Sequence, residues 1–100
     1  MSDSFSKINN QLNNKNFKEA LKLSEEYSGS DDLHILNNLK GIIFINLNKY
    51  QKAIEYFKKS INYKEDYIDA YSNLANLYFS TKNFSKSINT IIKALNYDPS

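Results

Sequence analysis

Two stretches of this chain share one pattern of large and small side chains. Residues 71–94 read YSNLANLYFSTKNFSKSINTIIKA, and residues 37–60, which lie 34 positions earlier, read NNLKGIIFINLNKYQKAIEYFKKS. A period near 34 residues is typical of two helices and two turns per unit, stacked so that neighbouring units bury one continuous core. The repeat therefore predicts an all-α solenoid, and such curved surfaces favour binding of another chain over catalysis. The closest pairs at this offset are Gly41 and Ala75, Phe44 and Tyr78, and Phe57 and Ile91.

The spacing of apolar residues predicts six helices joined by short turns. Only two glycines and one proline occur in the 100 residues, which fits helices with tight connections and argues against a β-rich fold. Short turns require antiparallel neighbours. The predicted helices cover residues 3–13, 17–27, 33–47, 50–63, 67–81 and 84–96.

Polar residues stand where several of these helices are predicted to start. Asn16 and Glu19 have the spacing of a capping box, in which two side chains satisfy free amides of the first turn. Asp66 is predicted to open the fifth helix, with Asp69 in its first turn, and Asn83 to cap the sixth.

The first unit matches the others less closely. Its second helix aligns with the fourth at an offset of 33, which pairs Phe17 with Tyr50 and Ala20 with Ala53. Its first helix aligns with the third at an offset of either 33 or 32 residues, and the sequence leaves this choice open. Irregular terminal units are expected in solenoids because their outer face is solvated, so we count three units.

Composition narrows the class of function. The net charge is +2, without runs of like charge, so a nucleic-acid-binding arm is not predicted. Cysteine is absent, which excludes disulfides. The longest apolar run, residues 42–45, is far too short to span a membrane, and no apolar leader follows Met1. We therefore expect a cytoplasmic protein with no membrane or nucleic-acid partner.

Catalysis finds no support in the residue pattern. His34 is the only histidine and is expected to be solvated in the first turn of its helix. The paired acidic residues stand near predicted helix ends, where capping and the helix dipole explain them. Because no metal-ligand cluster, phosphate-binding loop or nucleophile motif occurs, we predict a non-enzymatic protein with no metal and no cofactor.

The motif within each unit resembles that of the tetratricopeptide repeat (TPR) family. Its signature is Trp-x2-Leu-Gly-x2-Tyr, Ala-x3-Phe, Ala and Pro over 34 residues. The second unit matches less well, because Asn37 and Lys40 replace the aromatic residue and the leucine, and Glu65 replaces the proline. The resemblance implies a right-handed superhelix of three units over residues 1–33, 34–67 and 68–100. The third unit matches in kind at every position, with Tyr71, Leu74, Ala75, Tyr78, Ser87, Ile91, Ala94 and Pro99.

In TPR proteins the first helix of each unit lines a concave groove that holds peptides or partner segments. An Asn amide both donates and accepts hydrogen bonds, so a ladder of Asn could grip a peptide backbone. The alternative is that these Asn reflect composition and merely face the groove. A carboxylate clamp for chaperone tails is disfavoured because Asp69 would repel the ligand. The predicted groove residues are Asn9, Asn38, Ile42, Ile45, Asn73, Asn76 and Phe79.

The last predicted helix carries an apolar stripe at spacings of three to four residues, formed by Ile88, Ile91 and Leu95. TPR arrays commonly cover this side with a further helix. Three explanations compete: a chain cut from a longer array, pairing with a second copy, or a tolerated frayed end. The pattern favours the first two. The predicted function is thus a protein-interaction module or scaffold that binds a peptide or partner segment in the groove; the alternative is a structural part that self-associates through this helix.

Overall fold

The computed structural model describes residues 3–98. Met1, Ser2, Pro99 and Ser100 lie outside this range, and with them the proline that completes the motif of the third unit. Over the described range the chain forms six helices and no strand, as the spacing predicts. The helices are α1 (Asp3–Asn13), α2 (Phe17–Glu26), α3 (Leu33–Asn46), α4 (Tyr50–Tyr63), α5 (Ile68–Ser80) and α6 (Phe84–Tyr97).

The helices pack as three successive pairs, α1 with α2, α3 with α4, and α5 with α6. Each pair also packs on the next: α3 contacts α2, and α5 contacts α4. The fold is therefore an all-α helical repeat solenoid. The unit boundaries after residues 33 and 67 stay a prediction.

The core runs without a break through the stack. One cluster of buried side chains joins the first two pairs and includes Phe5, Ile8 and Ile43, which are fully buried. A second cluster, around Phe57 and Leu74, joins the last two pairs. Leu21 and Leu47 pack against both clusters, so burial in one unit supports its neighbour.

Helices α3 and α4 approach each other closely at Gly41. A methyl group placed on Gly41 would lie 2.6 Å from Cδ1 of Phe57, whose ring is fully buried. The absence of a side chain at Gly41 therefore makes room for the large ring on the facing helix. In the third unit the equivalent residues are Ala75 and Ile91. The larger side chain at the first position is thus accompanied by a smaller one at the second.

The turn within each helix pair has the same backbone design. Lys15, Asn48 and Lys82 each adopt a left-handed conformation, with φ between 61° and 64°. The amide of Lys82 donates to the carbonyl of Phe79, and the amide of Asn83 donates to that of Tyr78. This is the Schellman pattern that ends a helix and satisfies its last carbonyl groups. The turns at Lys15 and Asn48 repeat it.

The predicted side-chain caps are wrong. Asn16 and Asn83 occupy N-cap positions, yet neither side chain bonds to the backbone of its helix. The Asn16 amide group instead donates to Oε1 of Gln11 at 2.9 Å, because the left-handed residue before it directs the side chain back towards α1. Asp66 lies outside α5, which begins at Ile68 after an N-cap at Tyr67.

Candidate peptide-binding groove

The packing of alternate helices shows which face of the solenoid is concave. Helix α1 packs on α3, and α3 packs on α5, whereas α2, α4 and α6 do not pack on one another anywhere in residues 3–98. Because the first helices of the pairs converge and the second helices diverge, the array curves around α1, α3 and α5. These three helices form the inner face, and α2, α4 and α6 form the outer face.

One end of the inner face contains a pocket of about 470 Å³ between α1 and α3. It brings together Asn9 and Ile42, two residues that the sequence predicts in the groove. Asn46 also lines it and was missed by sequence reasoning. Its Nδ2 donates to the carbonyl of Ile42 at 2.9 Å, which fixes the amide at the pocket edge. The remaining lining residues are Leu12, Asn13, Lys15 and Phe17.

At the centre of the inner face, Asn38 requires a correction. The sequence places it on the groove surface, whereas the structure leaves only 6% of it exposed. Its Oδ1 accepts a hydrogen bond of 2.9 Å from Nδ2 of the half-buried Asn73. This bond joins α3 to α5, since the two helices pack closely enough here for the side chains to meet. The two amides thus link the units to each other.

Tyr67 extends this polar contact at the start of α5. Burial, and then the nearby charge of Asp69, raises the pKa of its hydroxyl, which also shares a hydrogen bond with Asn38. His34 packs edge-on against the Tyr67 ring with centroids 4.7 Å apart. The histidine is therefore half-buried, and the expectation that it is solvated is wrong.

The other end of the inner face is apolar and open. Phe79 is 65% exposed and packs edge-on against Phe84, with ring centroids 5.4 Å apart. Asn76 lies one turn earlier on α5 and is exposed. Ile45, the position equivalent to Phe79 in the preceding unit, is half-buried against the core. Sequence reasoning missed Phe84, although the 34-residue offset pairs it with another aromatic residue, Tyr50.

The arrangement offers a ligand apolar contacts and amide groups for hydrogen bonds. Apolar side chains and amides occur together at the pocket beside Ile42 and around Phe79, whereas the amides of Asn38 and Asn73 bond to each other. Over residues 3–98, no group of three or more His, Cys, Asp or Glu side chains is placed to hold a metal ion. Along the same part of the chain, none of the helices combines the length and apolar character that crossing a bilayer requires.

Comparisons with known proteins agree with the repeat seen in the structure. A family model described as "TPR repeat" matches residues 41–82, and one described as "Tetratricopeptide repeat" matches residues 68–100. Together the two matches cover residues 41–100, from the middle of α3 through the third helix pair. Tetratricopeptide repeats generally mediate protein–protein interactions, and proteins built from them are typically non-catalytic.

The chain is also similar to the uncharacterized protein ycf37 of Cyanophora paradoxa. The two sequences are 35% identical over 94 residues, which cover 92% of this chain and 54% of that protein. This chain thus spans about half the length of the curated relative that it matches. The helix pairs, their motif and the two repeat matches together show that the chain belongs to the tetratricopeptide repeat family.

Proposed function

We propose that the protein is a non-catalytic scaffold module that binds an extended peptide, or a segment of a partner protein, along its inner face. The observation that carries this proposal is the exposure of Phe79. A 65% exposed aromatic ring beside the exposed amide of Asn76 offers an apolar contact and a hydrogen-bonding group to one ligand. A cytoplasmic location and the absence of cofactors, membrane and nucleic acid belong to the same proposal and rest on composition.

The size of the molecule sets the length of the ligand. Its longest dimension is 34 Å. An extended chain advances about 3.3 Å per residue, so roughly ten residues would span the inner face. Apolar ligand side chains would contact Phe79 at one end and the pocket beside Ile42 at the other. The amides of Asn38 and Asn73 bond to each other, so ligand selection is expected at Phe79 and at the pocket beside Ile42.

The test begins with selection of twelve-residue peptides from a random library on the wild-type protein. We expect Phe79→Ala to weaken the selected peptides by about tenfold, which is 1.4 kcal/mol, because aromatic anchors dominate such interfaces. Tyr63→Ala is the matched control, since Tyr63 is an aromatic residue of similar exposure, 58%, on the outer face. Equal affinities for the Phe79→Ala variant and the wild type would show that the peptides bind elsewhere.

A second candidate function, self-association, is favoured by the apolar stripe of α6. Four aliphatic side chains of this helix are each about half exposed. In α4 the equivalents of Ile88, Ile91 and Leu95 are at least partly buried because α5 packs over that helix; Phe57, for example, is fully buried where Ile91 is 47% exposed. A second copy would provide the same cover for α6. The stripe comprises Ile88 (56%), Ile91 (47%), Ile92 (53%) and Leu95 (49%).

Light scattering coupled to size-exclusion chromatography tests this second candidate. We expect a dimer whose fraction rises with concentration and which Ile91→Lys with Leu95→Lys abolishes without loss of helical circular dichroism. Lys substitutions at the exposed Ser6 and Asn10 add the same charge to α1 and serve as the control. A monomer at every concentration would reject self-association and leave the groove proposal unaffected.

A further inference from the structure

The outer face carries two clefts that the proposed function does not use. The larger, of about 570 Å³, lies between α4 and α6 with α5 as its floor, and we call it the α4–α6 cleft. The second, of about 460 Å³, lies beside α3 and α4, and we call it the α3–α4 cleft. Both open on the outer face, where the second helices of the pairs diverge.

The two clefts are repetitions of one surface. Five residues that line the α4–α6 cleft lie 34 positions after five that line the α3–α4 cleft, and Asn62 lines both. The clefts are therefore neighbours on one continuous surface. The equivalent pairs are Asn37 and Tyr71, Lys40 and Leu74, Tyr56 and Thr90, Lys59 and Lys93, and Tyr63 and Tyr97.

Positive charge is concentrated on this surface. Helices α4 and α6 contain five lysines and one glutamate, a net charge of +4, whereas the whole chain carries +2. Helix α2, on the same outer face, has two lysines and three glutamates. Among the described residues that line the clefts, Glu65 is the only acidic side chain. The lysines that line them are Lys40, Lys58, Lys59, Lys86 and Lys93.

Several of these lysines are held over aromatic rings. The amines of Lys59 and Lys40 lie 4.7 Å and 5.4 Å from the centre of the Tyr56 ring, and that of Lys86 lies 5.8 Å from the centre of Tyr78. Such contacts restrict the ammonium groups to the cleft walls. Burial, with a contribution from Lys59, lowers the pKa of Lys40 even though Glu25 acts in the opposite direction. A carboxylate bound close to Lys40 would favour its charged form and so oppose the lowering of its pKa.

We propose that this outer surface binds an acidic peptide segment, with the lysines of both clefts contacting its Asp or Glu carboxylates. Ammonium groups bind carboxylates through charge-assisted hydrogen bonds. Asn62, Asn89 and the exposed residue Tyr63 line the same clefts, and their amides and hydroxyl supply donors for peptide carbonyls.

The composition favours a peptide over a nucleic acid as the occupant. All 13 basic residues are lysines, and none is the arginine that recognises phosphate bidentately. Few charges are available to neutralise a phosphate backbone, and polar uncharged side chains separate them. This surface lies opposite the groove, so the inference does not depend on the proposed function.

The test measures fluorescence anisotropy of fluorescein-labelled octaglutamate in 50 mM salt. We expect Lys58→Gln, Lys86→Gln and Lys93→Gln together to weaken binding about tenfold, since each exposed pair contributes modestly. Combined Lys7→Gln, Lys18→Gln and Lys22→Gln remove the same charge from exposed sites of the first pair, and should weaken it less than about threefold. Chemical-shift changes on titration of the wild type should cluster at Asn62, Asn89 and Thr90, away from α1.

Four results would overturn the proposal: no binding of octaglutamate, equal losses in the two triple variants, shift changes confined to the inner face, or tighter binding of octathymidylate that the cleft variant abolishes. The last would identify the surface as a nucleic-acid site. Octaglutamate binding with shifts on the outer face would support the proposal whether or not the groove binds the selected peptides.

Discussion

At the scale of single residues, the contact between Gly41 and Phe57 shows how the two helices of a pair determine each other's side chains. Alanine is favoured over glycine inside a helix by about 1 kcal/mol. Gly41 forgoes that gain, because a methyl group here would overlap the fully buried ring of Phe57. The cost of glycine is local, and the benefit is the burial of the whole Phe57 ring.

We therefore expect Gly41→Ala to destabilise the protein by up to about 2 kcal/mol, since overpacking costs about 1–3 kcal/mol and helix propensity returns about 1. Urea unfolding followed by circular dichroism measures the loss. Adding Phe57→Ile creates the combination found at Ala75 and Ile91, so the double variant should lose less than the two single variants summed. Strict additivity would mean that the two positions do not interact.

Tyr71 combines a buried ring with a hydrogen bond from its hydroxyl to the carbonyl of Glu65 at 2.7 Å. Burial, followed by the influence of Tyr97, raises the pKa of this hydroxyl above its usual value near 10. The folded state therefore keeps the hydroxyl proton of Tyr71 to a higher pH than the unfolded state does. This contribution to stability is complete below pH 10 and is lost as the pH rises through the folded-state pKa.

Tyr71→Phe should accordingly cost about 1 kcal/mol at pH 8, through loss of the hydrogen bond, and flatten the fall in stability above about pH 10. Urea unfolding at about pH 8, 10 and 11 measures both effects. Tyr67, whose pKa is also raised, should retain part of the slope. Tyr63→Phe, at an exposed position, is the control; a variant of Tyr71 with the wild-type slope would contradict the assignment.

At the scale of elements, the turns within the helix pairs use left-handed residues that are not glycine. A side chain in this conformation costs about 1–2 kcal/mol, which Asn tolerates better than Lys. Lys15 and Lys82 bear this cost, while Asn48 bears less of it. The Schellman hydrogen bonds hold all three turns in the same shape.

Lys82→Gly should stabilise the protein by up to about 1 kcal/mol, because it removes the strain but makes the unfolded chain more flexible. Asn48→Gly, at the equivalent turn, should gain less. Thermal unfolding of the two variants beside the wild type provides the comparison. A loss of stability in Lys82→Gly would show that the lysine side chain makes a favourable contact larger than the strain.

At the scale of the whole molecule, the units depend on their neighbours to different degrees. Helix α3 packs on α1, α2, α4 and α5, whereas α6 packs only on α5 within the described residues. In a stack held by contacts between adjacent units, an element with one neighbour opens at a lower free energy. Local stability should therefore be highest in the middle of the array.

Native-state hydrogen exchange tests this order. At low protein concentration, the amides of α6 should exchange fastest among the six helices and those of α3 and α4 slowest. Protection of α6 that increases with concentration would support self-association through its exposed stripe. Equal protection of α4 and α6 at the lowest concentration would contradict the gradient.

Much of the fold could be predicted from the sequence alone. The 34-residue spacing determines six helices and their pairing, because small residues such as Gly41 and large ones such as Phe57 recur where two neighbouring helices must meet. The stripe on α6 was also predictable, since helical periodicity places Ile88, Ile91 and Leu95 on one side. These are local or repeated patterns, and they require no knowledge of how the units are placed.

Only the tertiary structure decided what each surface residue does. The sequence predicts Asn38 and Asn73 as ligand-binding residues of the groove. Because α3 and α5 pack closely, their side chains form a hydrogen bond with each other instead. The lysines of the outer face become one surface because the second helices diverge while the first helices converge. Sequence determines what each helix can present, whereas the angle between units determines which side chains meet, because that angle arises from the packing of all six helices together.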